Sequence, residues 1–126
     1  LNCAPRELIS LLTELPAPEG SLRTYASKNA QKYYRFGASA VMNIELKGTL
    51  ESTVKFVESL HLMGNMTMIG DSISVITHPA STTHKQLSDA DLKAAGVTPT
   101  LLRLSLGLEC VEDIIDDFEQ AFAHID

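Results

Sequence analysis

The stretch Leu101-Leu102-Arg103-Leu104-Ser105-Leu106-Gly107 is an almost wholly apolar run that contains a single arginine. Its length and composition predict a β-strand, in which successive side chains point to opposite faces of the sheet. Leu102, Leu104 and Leu106 should therefore share one face, and Arg103 should lie on the other. We expect the leucine face to form the core of the domain, with the remaining elements arranged around it.

The arginine of this strand needs an anion or water, because an unpaired buried charge costs several kcal/mol. Its planar guanidinium suits a carboxylate, which it can bind through two parallel hydrogen bonds. Arg103 could pair with an aspartate or glutamate of its own domain, which is the common arrangement for charges in protein interiors. Alternatively, it could bind the carboxylate of a ligand. The spacing alone leaves both interpretations open.

The composition is that of an ordinary globular domain, with 126 residues of which 44% are hydrophobic and 21% are charged. The formal net charge of −6 and the pI of about 5.1 argue against nucleic acid or a membrane surface as a partner. No apolar run approaches the ~20 residues of a membrane span. Cys3 and Cys110 form no CxxC motif, which favours reduced thiols and a cytoplasmic location.

Apolar periodicity and capping signals predict the element order α-α-β-α-β-β-α-β-α. The predicted elements are helices over 6–15 and 22–34, a strand over 40–47, a helix that starts at Thr49 and ends before Gly64, strands over 66–69 and 73–77, a helix capped by Ser88 that ends at Gly96, the arginine strand, and a last helix over 111–125. The strands are few and short. The sequence therefore predicts an α+β domain with a small antiparallel or mixed sheet of about four strands and helices packed on one face.

The chain offers few groups for catalysis of its own. His78 and His84 lie in one loop without a third ligand at a recognised spacing, so we predict no metal site. Acidic residues flank Cys110 and should raise the pKa of its thiol, which makes it a poor nucleophile. The sequence contains no glycine-rich phosphate loop and no GxSxG or HExxH motif. We therefore predict a binding or accessory domain that presents an arginine and has no catalytic residue.

The most specific motif is His78-Pro79-Ala80-Ser81-Thr82-Thr83-His84, which is followed by Leu102-Arg103-Leu104-Ser105-Leu106-Gly107-Leu108-Glu109. Together with Ile44-Glu45-Leu46-Lys47-Gly48, these motifs resemble the pyridoxal-phosphate enzymes of cysteine and methionine metabolism. The HPASTTH form and the Ile69-Gly70-Asp71 turn look most like O-acetylhomoserine sulfhydrylase. The resemblance covers residues 36–126 and implies the small C-terminal α+β domain of a fold-type I enzyme. Residues 1–35 match only weakly, and their helical pattern predicts a connecting segment.

The resemblance also implies roles for individual residues. Arg103 would bind the α-carboxylate of an amino-acid substrate, which favours the second of the two interpretations above. Met68 and Ile69 would face the active site. The family has a serine or asparagine where this chain has Met68, and a thioether cannot donate the same hydrogen bond. Either Asn65 or Thr67 takes that role, or the substrate is handled differently.

In the family, the lysine that holds the cofactor lies upstream in a large domain, within a Ser-x-Thr-Lys sequence that this chain lacks. The resemblance therefore implies that pyridoxal phosphate is the cofactor of a full-length parent and that this chain supplies no cofactor-binding residue. The implied partners are the upstream cofactor domain, the amino-acid substrate and further copies of the parent in a homo-oligomer.

A second class of function stays open, namely a free-standing, non-catalytic binding or assembly module derived from this domain. The length of the natural gene product separates the two. About 400 residues would indicate a fragment of an enzyme, and about 126 would indicate a module.

Overall fold

A computed structural model describes residues 22–24 and 40–125, apart from the side chains of residues 22–24 and 89. The strands in this part of the chain are β1 (Leu22–Thr24), β2 (Val41–Leu46), β3 (Gly64–Asn65), β4 (Val75–Thr77) and β5 (Leu101–Ser105). The helices are α1 (Leu50–Glu58), α2 (Asp89–Ala94) and α3 (Val111–Phe122). None of these helices is long and apolar enough to cross a membrane.

The arginine strand lies at the centre of one mixed sheet of five strands, in the order β1-β2-β5-β4-β3. β5 pairs antiparallel with β2 and β4, whereas β3 pairs parallel with β4 at the edge. Leu104 is aligned with Met42 on one side and with Ile76 on the other. Cross-strand partners share a face of the sheet, so the register confirms the predicted separation of a leucine face from an arginine face.

α1 and α3 supply the side chains that close the core over the leucine face. Leu102 and Leu104 are fully buried in one cluster with Ile44, Phe56 and Phe118. The ring of Phe56 makes an edge contact with Phe118 at a centroid distance of 5.5 Å, which is a favoured geometry for aromatic pairs. This arrangement confirms the predicted α+β domain with helices on one face of a small mixed sheet.

The helix boundaries follow from local chemistry. Thr49 and Ser52 form a capping box at the start of α1. At the start of α2, the Ser88 hydroxyl oxygen accepts a hydrogen bond from the Asp91 N–H at 3.3 Å. Gly96 follows α2 with a φ of +71°, a conformation that glycine adopts readily. The predicted helix starts at Thr49 and Ser88 and the predicted stop at Gly96 are therefore confirmed.

The helix predicted over 22–34 is wrong at its start. Leu22–Thr24 is a strand that pairs antiparallel with β2, with Leu22 opposite Leu46. Residues 22–24 pair with the edge of β2, and this pairing satisfies the backbone hydrogen-bonding groups of both strands. The gain outweighs the helical preference of these three residues. The helix predicted over 6–15 lies outside the described residues. The division of the chain at residues 35 and 36 stays a prediction.

The strand predicted over 66–69 is also wrong. Pairing between β3 and β4 ends with a hydrogen bond of 3.1 Å from the Met66 N–H to the Ile76 carbonyl, and the chain then leaves the sheet. The apolar run suggested a strand, but Met68 and Ile69 are 50% and 59% exposed. Residues 66–74, which we call the face loop, instead cross over the arginine face.

Candidate substrate-binding site

Arg103 lies at the centre of the sheet face that is opposite the core. Its aligned neighbours are Asn43 of β2 and Thr77 of β4, so a row of polar residues crosses three strands. Arg103 is half-buried and Asn43 is exposed, whereas Thr77 is 1% exposed. The β4 side of this polar row is thus covered, and the β2 side is open.

The described partners of the Arg103 guanidinium are neutral oxygens. Its Nη2 donates a hydrogen bond to the Thr67 carbonyl at 2.9 Å and makes a longer contact of 3.5 Å with the Thr77 hydroxyl. Among the side chains that the structure describes, no carboxylate is hydrogen-bonded to this guanidinium. The interpretation of Arg103 as one half of an internal ion pair therefore finds no support in the described residues. A positioned guanidinium whose described partners are neutral is suited to bind an anion from outside.

The face loop covers the polar row through hydrogen bonds to β4 and β5. The Thr77 hydroxyl donates to the Met66 carbonyl at 2.5 Å, and the Gly70 N–H donates to the Ser105 hydroxyl oxygen at 3.1 Å. Gly70 has a φ of +78°, which lies in the left-handed region that favours glycine. The side chains of Thr77 and Ser105 are consequently buried beneath the loop. The loop and the arginine strand therefore form one hydrogen-bonded unit.

The far end of the face loop is anchored by Glu109. Its Oε1 accepts from the Ser74 N–H and its Oε2 accepts from the Ser74 hydroxyl, each at 2.7 Å. The Ser74 hydroxyl oxygen also accepts from the Gly107 N–H at 2.9 Å, and the Leu108 N–H donates to the Ser72 carbonyl at 2.9 Å. A Cβ atom at Gly107 would overlap this carbonyl. The close approach of the two segments therefore requires glycine at position 107.

Hydrogen bonds from Ser74 lower the pKa of the Glu109 carboxyl group. Burial by itself would raise the pKa of Glu109, but the hydrogen bonds from the Ser74 backbone and hydroxyl outweigh it. The pKa of Glu109 consequently lies below its ordinary value of 4.5. The group that holds the face loop is therefore a carboxylate at neutral pH.

Cys110 takes no part in this site. It is exposed at the N-cap of α3, and its Sγ lies 2.6 Å from Glu112 Oε2. This hydrogen bond raises the pKa of the Cys110 thiol. The direction agrees with the sequence prediction, and a thiol that resists deprotonation is a weak nucleophile. Cys3 lies outside the described residues.

Met68 and Ile69 lie on the face loop beside the arginine site. Met68 directly follows Thr67, whose carbonyl binds Arg103, and Ile69 directly precedes Gly70, which binds β5. The side chain of Met68 is 50% exposed and that of Ile69 is 59% exposed. The structure thus brings their backbone next to the site. Their predicted orientation towards an active site stays a prediction.

The two loop histidines have structural partners in the described residues. His78 is 1% exposed, with Nε2 at 2.8 Å from the Pro99 carbonyl and Nδ1 at 2.8 Å from the Ser81 hydroxyl. His84 binds the Thr83 hydroxyl through Nδ1 at 2.8 Å. Among the described side chains, no group of three or more histidine, cysteine or acidic residues could hold a metal ion.

The lysines of the described residues do not fit a covalent site for pyridoxal phosphate. Lys47, Lys55, Lys85 and Lys93 are all exposed. A lysine that forms a Schiff base is commonly activated by desolvation, and an exposed ammonium group is not desolvated. Lys28 and Lys32 lie outside the described residues. These described lysines therefore offer no site at which the cofactor could be bound covalently.

The sequence pattern missed three residues that support the site or its scaffold. In the sequence, Glu109 stands out only as part of a motif, and Thr77 stands out only as a residue of a predicted strand. Asp117 is 6% exposed on α3, although an acid was expected on the solvent side of this helix. Its position three residues after buried Ile114 and four before buried Ala121 was the available signal. The hydrogen bonds of Thr77 and Glu109 join distant segments, so only the fold reveals them.

The chain belongs to the family of Cys/Met metabolism PLP-dependent enzymes, whose family profile matches residues 20–123. The match begins before Phe36 and includes β1, which joins the sheet. The resemblance that the motifs indicated is thereby confirmed. Pyridoxal phosphate is the cofactor of this family.

Curated relatives in this family include sulfhydrylases. The chain is 43% identical over 104 residues to the O-acetyl-L-homoserine sulfhydrylase of Leptospira meyeri, covering 82% of this chain and 23% of the relative. It is 46% identical over 99 residues to the sulfhydrylase FUB7 of Fusarium oxysporum f. sp. lycopersici, covering 79% of this chain and 22% of the relative. The chain therefore spans less than a quarter of the length of either protein.

Solved structures show the same fold within longer chains. A Campylobacter jejuni protein assigned as an O-acetylhomoserine (thiol)-lyase matches with a TM-score of 0.77 and 32% identity, over 94% of this chain and 30% of that one. That structure carries an N'-pyridoxyl-lysine-5'-monophosphate. Cystathionine gamma synthase from Xanthomonas oryzae pv. oryzae matches with a TM-score of 0.76 and 28% identity, over 94% of this chain and 32% of that one. The predicted domain of a fold-type I enzyme is thereby confirmed.

Proposed function

We propose that this chain is the C-terminal substrate-binding domain of a cytoplasmic, pyridoxal-phosphate-dependent O-acetylhomoserine sulfhydrylase. Such an enzyme replaces the acetate of O-acetylhomoserine with a sulfur nucleophile. In this proposal the upstream domain holds the cofactor, which supplies the electron sink. This chain provides Arg103, which binds the α-carboxylate of the substrate.

The observation that supports the proposal is the environment of the Arg103 guanidinium. It is half-buried on the sheet face, it is oriented by the Thr67 carbonyl, and its described partners carry no charge. A carboxylate that docks there would complete the charge pair through two parallel hydrogen bonds. The similarity to an O-acetyl-L-homoserine sulfhydrylase supports the carboxylate of an amino acid as this anion.

The face loop supports the same proposal. Met68 and Ile69 present exposed apolar side chains beside the polar row. In the assembled parent, the cofactor domain would cover these side chains and exclude water from the substrate. Exclusion of water strengthens the pairing between a guanidinium and a carboxylate, because the effective dielectric constant falls. We propose that Met68 and Ile69 form the apolar wall of the site.

The proposal is tested by kinetics of the full-length protein that carries this chain. Arg103→Ala should lower kcat/KM for O-acetylhomoserine by roughly a hundredfold, because loss of one partner of a desolvated charge pair costs about 2–5 kcal/mol. Arg103→Lys should recover only part of this loss, since an ammonium group cannot bind through two prongs. Cofactor content and melting temperature should stay close to those of the parent. A large fall in melting temperature with near-normal kcat/KM in the folded fraction would refute the proposal.

A further inference from the structure

We propose that Thr77 is a positioning residue that holds the Arg103 guanidinium in the orientation in which it meets a substrate carboxylate. The inference rests on the proposed function of Arg103 and assigns a second residue to the same site. Thr77 belongs to β4, is aligned with Arg103 across the sheet and is 1% exposed. It is the immediate neighbour of the arginine on the covered side of the polar row.

The hydroxyl of Thr77 acts first on the backbone of the face loop. It donates to the Met66 carbonyl at 2.5 Å, while the Met66 N–H donates to the Ile76 carbonyl at 3.1 Å. Residue 66 is thus fixed to β4 from both sides. The next carbonyl along the chain belongs to Thr67, and it accepts the 2.9 Å hydrogen bond from Arg103 Nη2. Thr77 therefore determines where the main acceptor of the guanidinium lies.

The same hydroxyl also faces the guanidinium directly. Because its proton is directed at Met66, its oxygen lone pairs are left to face Arg103 Nη2, which lies 3.5 Å away. At this length the direct contact is weak, so its effect is on orientation more than on affinity. Both effects come from one oxygen atom. Valine has nearly the same shape as threonine and suits a strand, but it lacks that oxygen.

The test is Thr77→Val in the full-length protein. We expect KM for O-acetylhomoserine to rise about three- to tenfold with a smaller change in kcat, as loss of one hydrogen bond implies. Thr77→Ser should restore a near-normal KM because it returns the hydroxyl. Thr53→Val is the matched control. Thr53 is equally buried in α1 and also donates to a backbone carbonyl, that of Thr49 at 2.9 Å, but it lies on the core side. Thr53→Val should leave KM unchanged.

A double-mutant cycle separates positioning from general structural support. If Thr77 acts through Arg103, Thr77→Val should have no further effect on KM in the Arg103→Ala background. An equal rise in KM in both backgrounds would overturn the inference. So would an unchanged KM for Thr77→Val beside a raised KM for Arg103→Ala, and in that case the proposed function would stand. If Arg103→Ala itself left kcat/KM unchanged, the proposed function would fail, and the inference would fail with it.

Discussion

Glu109 binds Ser74 through two hydrogen bonds of 2.7 Å, one to the backbone N–H and one to the hydroxyl. The two residues are 35 positions apart in the chain. This one carboxylate therefore joins the end of the face loop to the segment that follows the arginine strand. Since the other end of the loop contacts Arg103, we expect the position of the candidate site to depend on the ionisation of Glu109.

Glu109→Gln should destabilise the chain at neutral pH by about 1–2 kcal/mol, because hydrogen bonds to a carboxylate are stronger than those to an amide and the group is only partly buried. The pKa of Glu109 is lowered in the folded state. Its contribution to stability is therefore fully present above the ordinary value of 4.5 and is lost as the pH falls through the folded-state pKa. Urea unfolding at several pH values should show the difference between the two proteins shrinking below about pH 4.5.

The control for this experiment is Glu119→Gln, which changes an exposed carboxylate of α3. It should follow the wild-type curve at each pH. A difference between wild type and Glu109→Gln that stays constant from pH 7 to about 3 would show that Glu109 contributes packing and not charge.

The sheet and its helices could be predicted largely from residues near one another in sequence. Alternation in the arginine strand gave its two faces, and Thr49 and Ser88 gave the starts of α1 and α2. The face loop could not be predicted in this way. Its apolar residues suggested a strand, and only contacts with Ser105, Thr77 and Glu109 from other segments draw it across the sheet.

Arg103 is the one residue of the candidate site that could be identified from the sequence. An arginine in an apolar strand needs an anion or water, so Arg103 stood out from the sequence alone. The sequence left open whether the anion is internal or external, because every acidic residue of the chain was a possible partner. Among the described side chains the structure shows no carboxylate hydrogen-bonded to Arg103, and the binding of an external anion stays a proposal. Thr77 carried no signal, since a threonine in a strand is ordinary.

Asp117→Asn should destabilise the chain by about 2–4 kcal/mol, because a buried carboxylate that accepts several backbone hydrogen bonds would be replaced by a group that also donates. Asp117 lies on α3 and accepts from three consecutive N–H groups of the segment after α1. The distances are 2.7 Å for His61, 2.9 Å for Leu62 and 3.2 Å for Met63. Urea unfolding at neutral pH measures the change.

Asp116→Asn is the matched control, since Asp116 is the exposed neighbour on the same helix. It should change the free energy of unfolding by less than about 0.5 kcal/mol. Equal effects of the two substitutions would mean that the Asp117 carboxylate does not stabilise the connection between α1 and α3.

Leu104→Asp should unfold or aggregate the chain. Leu104 is fully buried between Met42 and Ile76 on the core face of the sheet. An unpaired carboxylate there costs several kcal/mol against a total stability of about 5–15 kcal/mol. Leu108→Asp makes the same chemical change at a side chain that is 77% exposed, and it should leave the fold intact. Circular dichroism and size exclusion report both outcomes, and a monomeric Leu104→Asp variant with an unchanged Tm would contradict the assigned face.

The purified chain should not form a specific Schiff base with pyridoxal phosphate. Lys47, Lys55, Lys85 and Lys93 are exposed in the structure, and the sequence lacks the Ser-x-Thr-Lys context expected of the cofactor lysine. Exposed lysines react weakly and without preference, because a lysine that forms a specific Schiff base is commonly activated by burial. After incubation with the cofactor and reduction with borohydride, intact-mass analysis should show at most scattered substoichiometric adducts. Acetylating the lysines first should abolish even these, whereas one stoichiometric adduct that maps to a single lysine would show that this chain carries a cofactor site of its own.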